Sequence, residues 1–263
     1  MADDHLAARL AAVESRVRAA VEARRRTDPE ADDPFRGLYL SDDTVRRILG
    51  TPDQVPWPDP VDPPPAGDGS SRLEALERDF ALRPLDTELL LIALAPDLDR
   101  RFEQLYGYLN DDVTRRRPTV GLALGLCGVP AASAAARSRL AAGGPLAERG
   151  LLLLEEPERP FLGRSLRVPD RVTAHLLGDD AVAWELVDLL RPAPPGLPSS
   201  PGLPSSPYGE LPGRLAGALA AGTSPVYLRE PAGGAAVEIA ATALAGAGRG
   251  AFVLDLGRLA RQD

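Results

Sequence analysis

The chain has little from which to build covalent or metal chemistry. It holds one cysteine, which excludes an internal disulfide, and two histidines, which with that thiol give no convincing zinc set. Cys127 lies in an apolar run and reads as a small core residue. Aromatic residues are only 5% of the chain, so Leu, Val and Ala must fill the core. Lysine is absent, and arginine carries the positive charge. Excess basic charge is missing too. A net charge of −8 and a pI near 5.0 argue against a duplex-DNA binder and leave room only for a local basic patch. No apolar run approaches the length of a membrane span. The opening "MADDHLAARLAAVESRVRAAVEARRR" lacks the basic-then-apolar order of a secretory signal. These absences predict a cytoplasmic protein with no membrane contact.

What is present suggests five segments. Residues 1–50 form an N-terminal helical segment. In its long helix, residues 3–26, Leu6, Leu10, Val13, Val17 and Val21 share one face. Asp3 and Asp4 at its start and Arg24, Arg25 and Arg26 at its end suit the helix dipole. Ser41 is placed to cap a short helix carrying Val45, Ile48 and Leu49. Residues 51–71, dense in Pro, Asp and Gly, read as a linker. Residues 72–190 read as a compact unit. Residues 191–212, "RPAPPGLPSSPGLPSSPYGELP", repeat "GLPSSP" in tandem and read as a disordered or polyproline-like linker. Residues 213–263 begin an α/β unit.

Within residues 72–190 the helix signals come in close order. Ser71 caps an amphipathic helix with Leu73, Leu76 and Phe80 on one face. Asp86 or Thr87 caps an apolar helix from Glu88 to Ala95, which Pro96 ends. Asp97 to Leu109 makes another, with Leu98, Phe102, Leu105 and Leu109 inward. Thr119 caps a short helix, Gly128-Val129-Pro130 turns the chain, and "AASAAARSRLAAGG" is a helix stopped by paired glycines. "LLLLEE", a Pro/Gly turn and "SLRVP" make a strand, loop and returning strand, and Asp170 caps a last helix closed by Gly178. Helix, turn, second helix, then two strands round a loop is the order of a winged helix-turn-helix. Val129 to Leu140 then occupies the recognition-helix position, and Glu155 to Arg164 the wing.

DNA-binding versions place Arg and Lys on those two parts to meet phosphates. Here the helix offers Arg137 and Arg139 among alanines, and the wing mixes Glu155, Glu156 and Glu158 with Arg159 and Arg164. The glutamates would repel a phosphate backbone, so protein contact is favoured over nucleic acid. "TRRRP" supplies Arg115, Arg116 and Arg117, either a solvated loop or a docking patch for an acidic partner. These five arginines are the partner-binding candidates.

In the last segment, Val226-Tyr227-Leu228 reads as a strand, Pro231 to Gly234 as a turn, the alanine-rich run after it as a helix, and Ala251 to Leu256 as a parallel-type strand. That is one βαβ unit, which needs neighbours to cover its sheet. The chain therefore reads as truncated within a larger α/β domain. A phosphate-binding loop has the pattern G-x-x-x-x-G-K-[ST] in this context. Laid on it, Glu230 takes the first glycine's place, Pro231, Ala232, Gly233 and Gly234 the middle, and Ala235 the second glycine's. Ala236 stands for the lysine and Val237 for the hydroxyl. Ala236 brings no ammonium, Val237 cannot ligate magnesium, and Glu230 sets a negative charge where phosphates would lie. The loop is read as a degenerate one; a strand-to-helix turn unrelated to phosphate binding is the alternative.

The fold class expected is mainly α: a helical region plus winged helix-turn-helix, then a Pro-rich linker and the start of an α/β P-loop-type domain. "TELLLIALAPDLDRRFEQLYGYLNDDVTRRRPTVGLALGL" and the winged-helix stretch after it resemble the N-terminal region of a group of bacterial AAA+ ATPases. The likeness covers residues 72–190 well and the loop region in outline, and "LAPDLDRRFEQLYGYLNDD" is its more specific part. In that family a helical and winged-helix region precedes one or two ATPase modules, often encoded beside contractile injection systems, and a first module can be degenerate. The resemblance implies an adaptor that binds a partner or substrate protein, with injection-system components as candidates. ATP and Mg are implied for a full-length member, with no cofactor and no catalytic residue in this chain. Ring assembly would need the missing ATPase part. A DNA-binding regulator and a standalone scaffold remain the alternatives.

Overall fold

The computed structural model describes residues 4–27, 46, 71–182, 186–193, 209–222, 225–231 and 234–259. The short helix expected after Ser41, apart from Arg46, most of the 51–71 linker and most of the 191–212 linker lie outside these residues. The chain divides into two compact units, Met1–Asp180 and Ala181–Asp263.

In the first unit α1 spans Asp4–Thr27. Its Leu6, Val13 and Val17 are buried as the spacing predicts, and Leu10 and Val21 pack against the same core. They meet α3 (Pro84–Leu98), whose Leu89 to Leu94 are buried without a polar break. A helix apolar on all sides must be surrounded. α1, α2 (Arg72–Asp79), α4 (Arg101–Leu109) and α5 (Val120–Leu126) all contribute residues to its core cluster. Two charged side chains of α1 are buried there as well. Arg9 Nη2 donates to Glu88 Oε1 at 2.8 Å, Arg16 Nη2 donates to Glu88 Oε2, and Arg9 also reaches Glu77 at 3.4 Å.

Ser71 caps α2 as expected, in a complete capping box with Glu74. α3 departs from expectation at both ends. It starts at Pro84, and Asp86 is not its N-cap but sits one turn in, accepting from the Arg83 N–H at 2.8 Å. Pro96 does not end it; the helix runs on to Leu98. A proline inside a helix strips the carbonyl four residues back of its donor. That carbonyl is Ile92, and the hydroxyl of Tyr106, fully buried on α4, donates to it at 2.9 Å. The tertiary bond replaces the missing helical one.

This substitution of donors gives a prediction. Tyr106→Phe should cost about 1–3 kcal/mol, the penalty for leaving a buried acceptor unsatisfied. Pro96→Ala, which restores an N–H facing Ile92, should recover most of that loss in the Tyr106→Phe background and change little in the native one. Urea unfolding of the four proteins measures the coupling. Additive costs would show that the two residues do not share the carbonyl.

The helix expected from Asp97 to Leu109 is shorter. Asp99 is extended and takes the Arg101 N–H at 2.9 Å, so α4 begins at Arg101. α8 (Asp170–Leu176) is capped by the extended Pro169, with Asp170 at its first position instead of the cap. Gly178, with φ of +101°, follows its end.

The end of α8 is tied to the start of α2. Asp180 receives Arg72 Nη2 at 2.7 Å and lies 2.6 Å from His175 Nδ1. The Arg72 guanidinium, and then His175, hold the Asp180 carboxyl well below the usual carboxylate range. A lowered folded-state value means the contribution is complete above the ordinary pKa, about 3.9, and disappears as pH falls through the folded value. The native chain should therefore melt above Asp180→Asn at pH 5 and higher, and the gap should narrow as pH is taken below 4. A gap constant from pH 7 to pH 2.5 would show that the ion pair contributes nothing.

The second unit departs most from expectation. Val226 to Leu228 form no strand. β4 (Phe252–Leu254) pairs antiparallel with β3 (Leu190–Pro192), in the register Leu190 to Leu254 and Pro192 to Phe252. No parallel βαβ unit is therefore present among the described residues. Two stretches read as linker are structured: Leu190–Pro192 as β3, and Leu211 onward as α9 (Leu211–Ala220). α9 packs on α10 (Ala236–Gly246) through Leu215, Ile239 and Ala243, with Leu228 against them. A short α11 (Leu256–Leu259) follows β4.

Candidate functional site

The helix-turn-helix order expected after Thr119 is present. Thr119 Oγ1 accepts from the Leu122 N–H at 3.2 Å, which starts α5. Gly128, with φ of +66°, ends it by sending its N–H to Gly125 at 2.8 Å while Val129 reaches Leu124 at 2.9 Å. The second helix, α6, is only Ala134–Arg139, capped by Ser133 and stopped before the glycine pair. The expected fourteen-residue span is thus six residues of helix plus flanking turns. Gly144 instead leads the short α7 (Pro145–Glu148); a Cβ there would lie 2.5 Å from the Ser138 and Arg139 carbonyls.

The expected strand pair is β1 (Leu153–Glu155) with β2 (Ser165–Arg167), antiparallel, Leu154 opposite Leu166. The chain before α5 joins this ribbon: Leu166 N–H reaches the Pro118 carbonyl and Val120 N–H the Arg164 carbonyl, each at 2.9 Å. The wing between the strands is folded on itself. Glu156, at φ +58°, accepts the Ser165 hydroxyl at 2.7 Å and Arg159 Nε at 2.6 Å. The Ser165 bond, then Arg159, lowers its carboxyl pKa. Arg164 donates to the Pro157 and Arg159 carbonyls.

Residues 64–190 match the family model described as a winged helix domain, variant. The likeness covers just under half of the chain, and the helix-turn-helix and the β1–β2 ribbon lie within it. No curated protein and no solved structure matches the chain. The match begins inside the segment read as the first linker, at residues the structure does not describe.

The five arginines singled out in the sequence do not form one patch on the winged helix domain. Arg139 donates through Nε and Nη2 to Asp86, which is completely buried, so α6 is pinned to the start of α3. Arg137 lies over the Phe161 ring, 4.5 Å from its centroid, and donates to the Ala131 carbonyl. Arg115 turns inward to the Gly163 carbonyl at 2.6 Å and to Asp112. Arg117 forms a forked pair with Asp97 at 3.0 and 3.2 Å. Arg116 alone of the five reaches far into solvent, with a 3.5 Å contact to Glu103. What α6 shows to solvent is Ala134, Ala135 and Ser138, a small and uncharged surface that exposed Ala132 extends, while the wing exposes Glu158.

The loop before α10 is closed by its own side chain. Glu230 Oε2 accepts the Ala236 N–H at 2.6 Å, so a carboxylate of the chain already holds the first helical amide. Gly234 makes room for it: a Cβ there would lie 2.2 Å from that oxygen. Pro231 accepts from Gly234 at 3.0 Å, Ala235 is the helix N-cap, and Val237 is part exposed. Ala232 and Gly233 lie outside the described residues. The chain contains no lysine, so no ammonium elsewhere in it could stand in at Ala236. Among the described residues of this loop, the Glu230 carboxylate occupies the first helical amide and Val237 offers no oxygen side chain to a magnesium ion.

Cys127, packed against the core at the end of α5, has its thiol pushed up to about 12 by burial, which keeps it protonated and unreactive near neutrality. Among the described residues no group of three or more His, Cys, Asp or Glu is placed to hold a metal ion. Among them, too, no helix is long and apolar enough to cross a membrane.

Proposed function

We propose that the winged helix domain binds a protein partner, and that this chain neither reads DNA nor turns over nucleotide. One observation carries this: the arginines on the recognition-position helix are spent inside the fold. Arg139 neutralises buried Asp86 and Arg137 covers Phe161, while the free face of α6 is alanine and serine. A DNA reader needs those cations for phosphates and base edges. A small-residue face instead suits close approach by another protein's backbone. On the resemblance of residues 94–112, the domain is the N-terminal adaptor of an AAA+ ATPase, with an injection-system component as its candidate partner. The Glu230 carboxylate on α10 supports an inert first nucleotide module.

The test is fluorescence anisotropy of the 263-residue chain with a random 30-base-pair duplex in 50 mM salt. The expected result is no binding tighter than about 0.1 mM, the weak end of non-specific association. Micromolar binding that falls steeply with salt would sink the protein-binding assignment and favour a DNA-binding regulator.

A further inference from the structure

We infer that a cleft between the outer face of α4 and the loop that follows it docks an acidic protein segment carrying an apolar side chain. The inference rests on the protein-binding reading and gives it a site. The cleft is about 200 Å3, lined by Arg100, Glu103, Gln104, Gly107, Val113 and Arg116. Val113 is 87% exposed. An exposed valine is ordinary on a loose loop, but this loop is held at every step. The Asp112 N–H reaches the Gly107 carbonyl at 3.0 Å, and Asp112 Oδ1 takes the Thr114 N–H at 2.9 Å and hydroxyl at 2.6 Å. Arg115 anchors the loop to Gly163, and Asn110 Nδ2 donates to the Arg117 carbonyl. Gly107 lets the loop sit close: a Cβ there would lie 3.4 Å from the Asp112 oxygen and from Val113 Cα. The valine is therefore presented in a fixed position, with no folding contact to account for it.

Charge fixes the partner's chemistry. The Arg100 guanidinium has no hydrogen-bond or ion-pair partner among the described residues. Arg116 is 68% exposed and its 3.5 Å contact with Glu103 is a surface pair of little worth. Two available guanidinium groups against one carboxylate, on a chain of net −8, make a local site for negative charge. A nucleic-acid backbone would call for a longer row of cations and would leave Val113 unused. A peptide with Asp or Glu beside Leu, Ile, Val or Phe uses all three groups, and arginine beside an apolar anchor is a common make-up for an energetic hot spot.

The experiment places a photo-crosslinking p-benzoylphenylalanine at Val113, and separately at Ala135 on α6, in the full chain within its own cells. The expected result is a crosslinked peptide at Val113 rich in Asp or Glu with an aliphatic or Phe side chain. Arg100→Glu with Arg116→Glu should cut its yield by about tenfold or more, with the melting temperature unchanged. A yield insensitive to charge reversal, or a crosslinked peptide without acidic residues, overturns the assignment. Crosslinking at Ala135 but not at Val113 removes the cleft and leaves the protein-binding reading standing. Crosslinking to protein at neither position removes both, and nucleic acid captured at Val113 would replace the peptide by a phosphate backbone.

Discussion

Glu88→Ala should destabilise the first unit by about 3–5 kcal/mol, as expected when one partner of a buried ion network is removed. Glu88 lies on α3 and neutralises two arginines of α1, Arg9 and Arg16, whose side chains are 7% and 6% exposed. Truncation leaves both guanidinium groups buried. Arg9 keeps only the 3.4 Å contact to Glu77, and Arg16 keeps its 3.4 Å bond to the Ala12 carbonyl. Glu88→Gln retains shape and one acceptor and should fall between the two. The decisive comparison is Arg9→Met with Arg16→Met and Glu88→Leu together. Well-packed apolar replacements for a whole buried network are often neutral or stabilising. The triple variant should therefore unfold near the native denaturant midpoint, although one of its component changes alone is severe. A triple variant as unstable as Glu88→Ala would show that the site depends on packing and not on charge. A small effect of Glu88→Ala would show that water reaches the two arginines.

Much of the fold was legible because its signals are local. Ser71, Thr119 and Gly128 sit where cap chemistry places them, and each needs only residues within a few positions. The α1 stripe and the β1–β2 hairpin follow from apolar spacing and from a Pro/Gly turn between two apolar runs. The failures are non-local. Pro96 ends a helix by every local rule; the donor that lets the helix continue is Tyr106, fourteen positions from the Ile92 carbonyl it serves. Leu190–Pro192 contains a proline and an arginine and reads as the edge of a linker; it is a strand because Phe252–Leu254 lies beside it. By contrast, Val226-Tyr227-Leu228 has strand composition but pairs with nothing among the described residues. The candidate site shows the same division. Sequence singled out five arginines but not the groups they meet, since the partners are 48 residues away for Arg115 and 53 for Arg139. Arg100 gave no signal of its own, because its meaning lies in a cleft that only the loop over Gly107 creates.

Arg139→Ala should be the second severe change, again at about 3–5 kcal/mol, because it strands a carboxylate with no exposure at all. Asp86 would keep the Arg83 N–H and the favourable end of α3, but would lose both guanidinium bonds. Arg139→Lys should rescue little, since a point charge on a flexible stem cannot reproduce the fork. The partner change is expected to be milder. Asp86→Ala removes the buried charge itself and leaves Arg139, already 18% exposed, able to turn toward water. Its cost should be about 1–2 kcal/mol, mostly the lost capping bond. Asp86→Ala with Arg139→Ala should then be more stable than Arg139→Ala alone, a reversal that simple loss of contacts cannot produce. The order also bears on function. If Arg139 were held in reserve for a nucleic acid, its removal would leave stability nearly unchanged and reduce only DNA binding. A large loss of stability with no DNA binding to lose would place this arginine with the scaffold that orients α6.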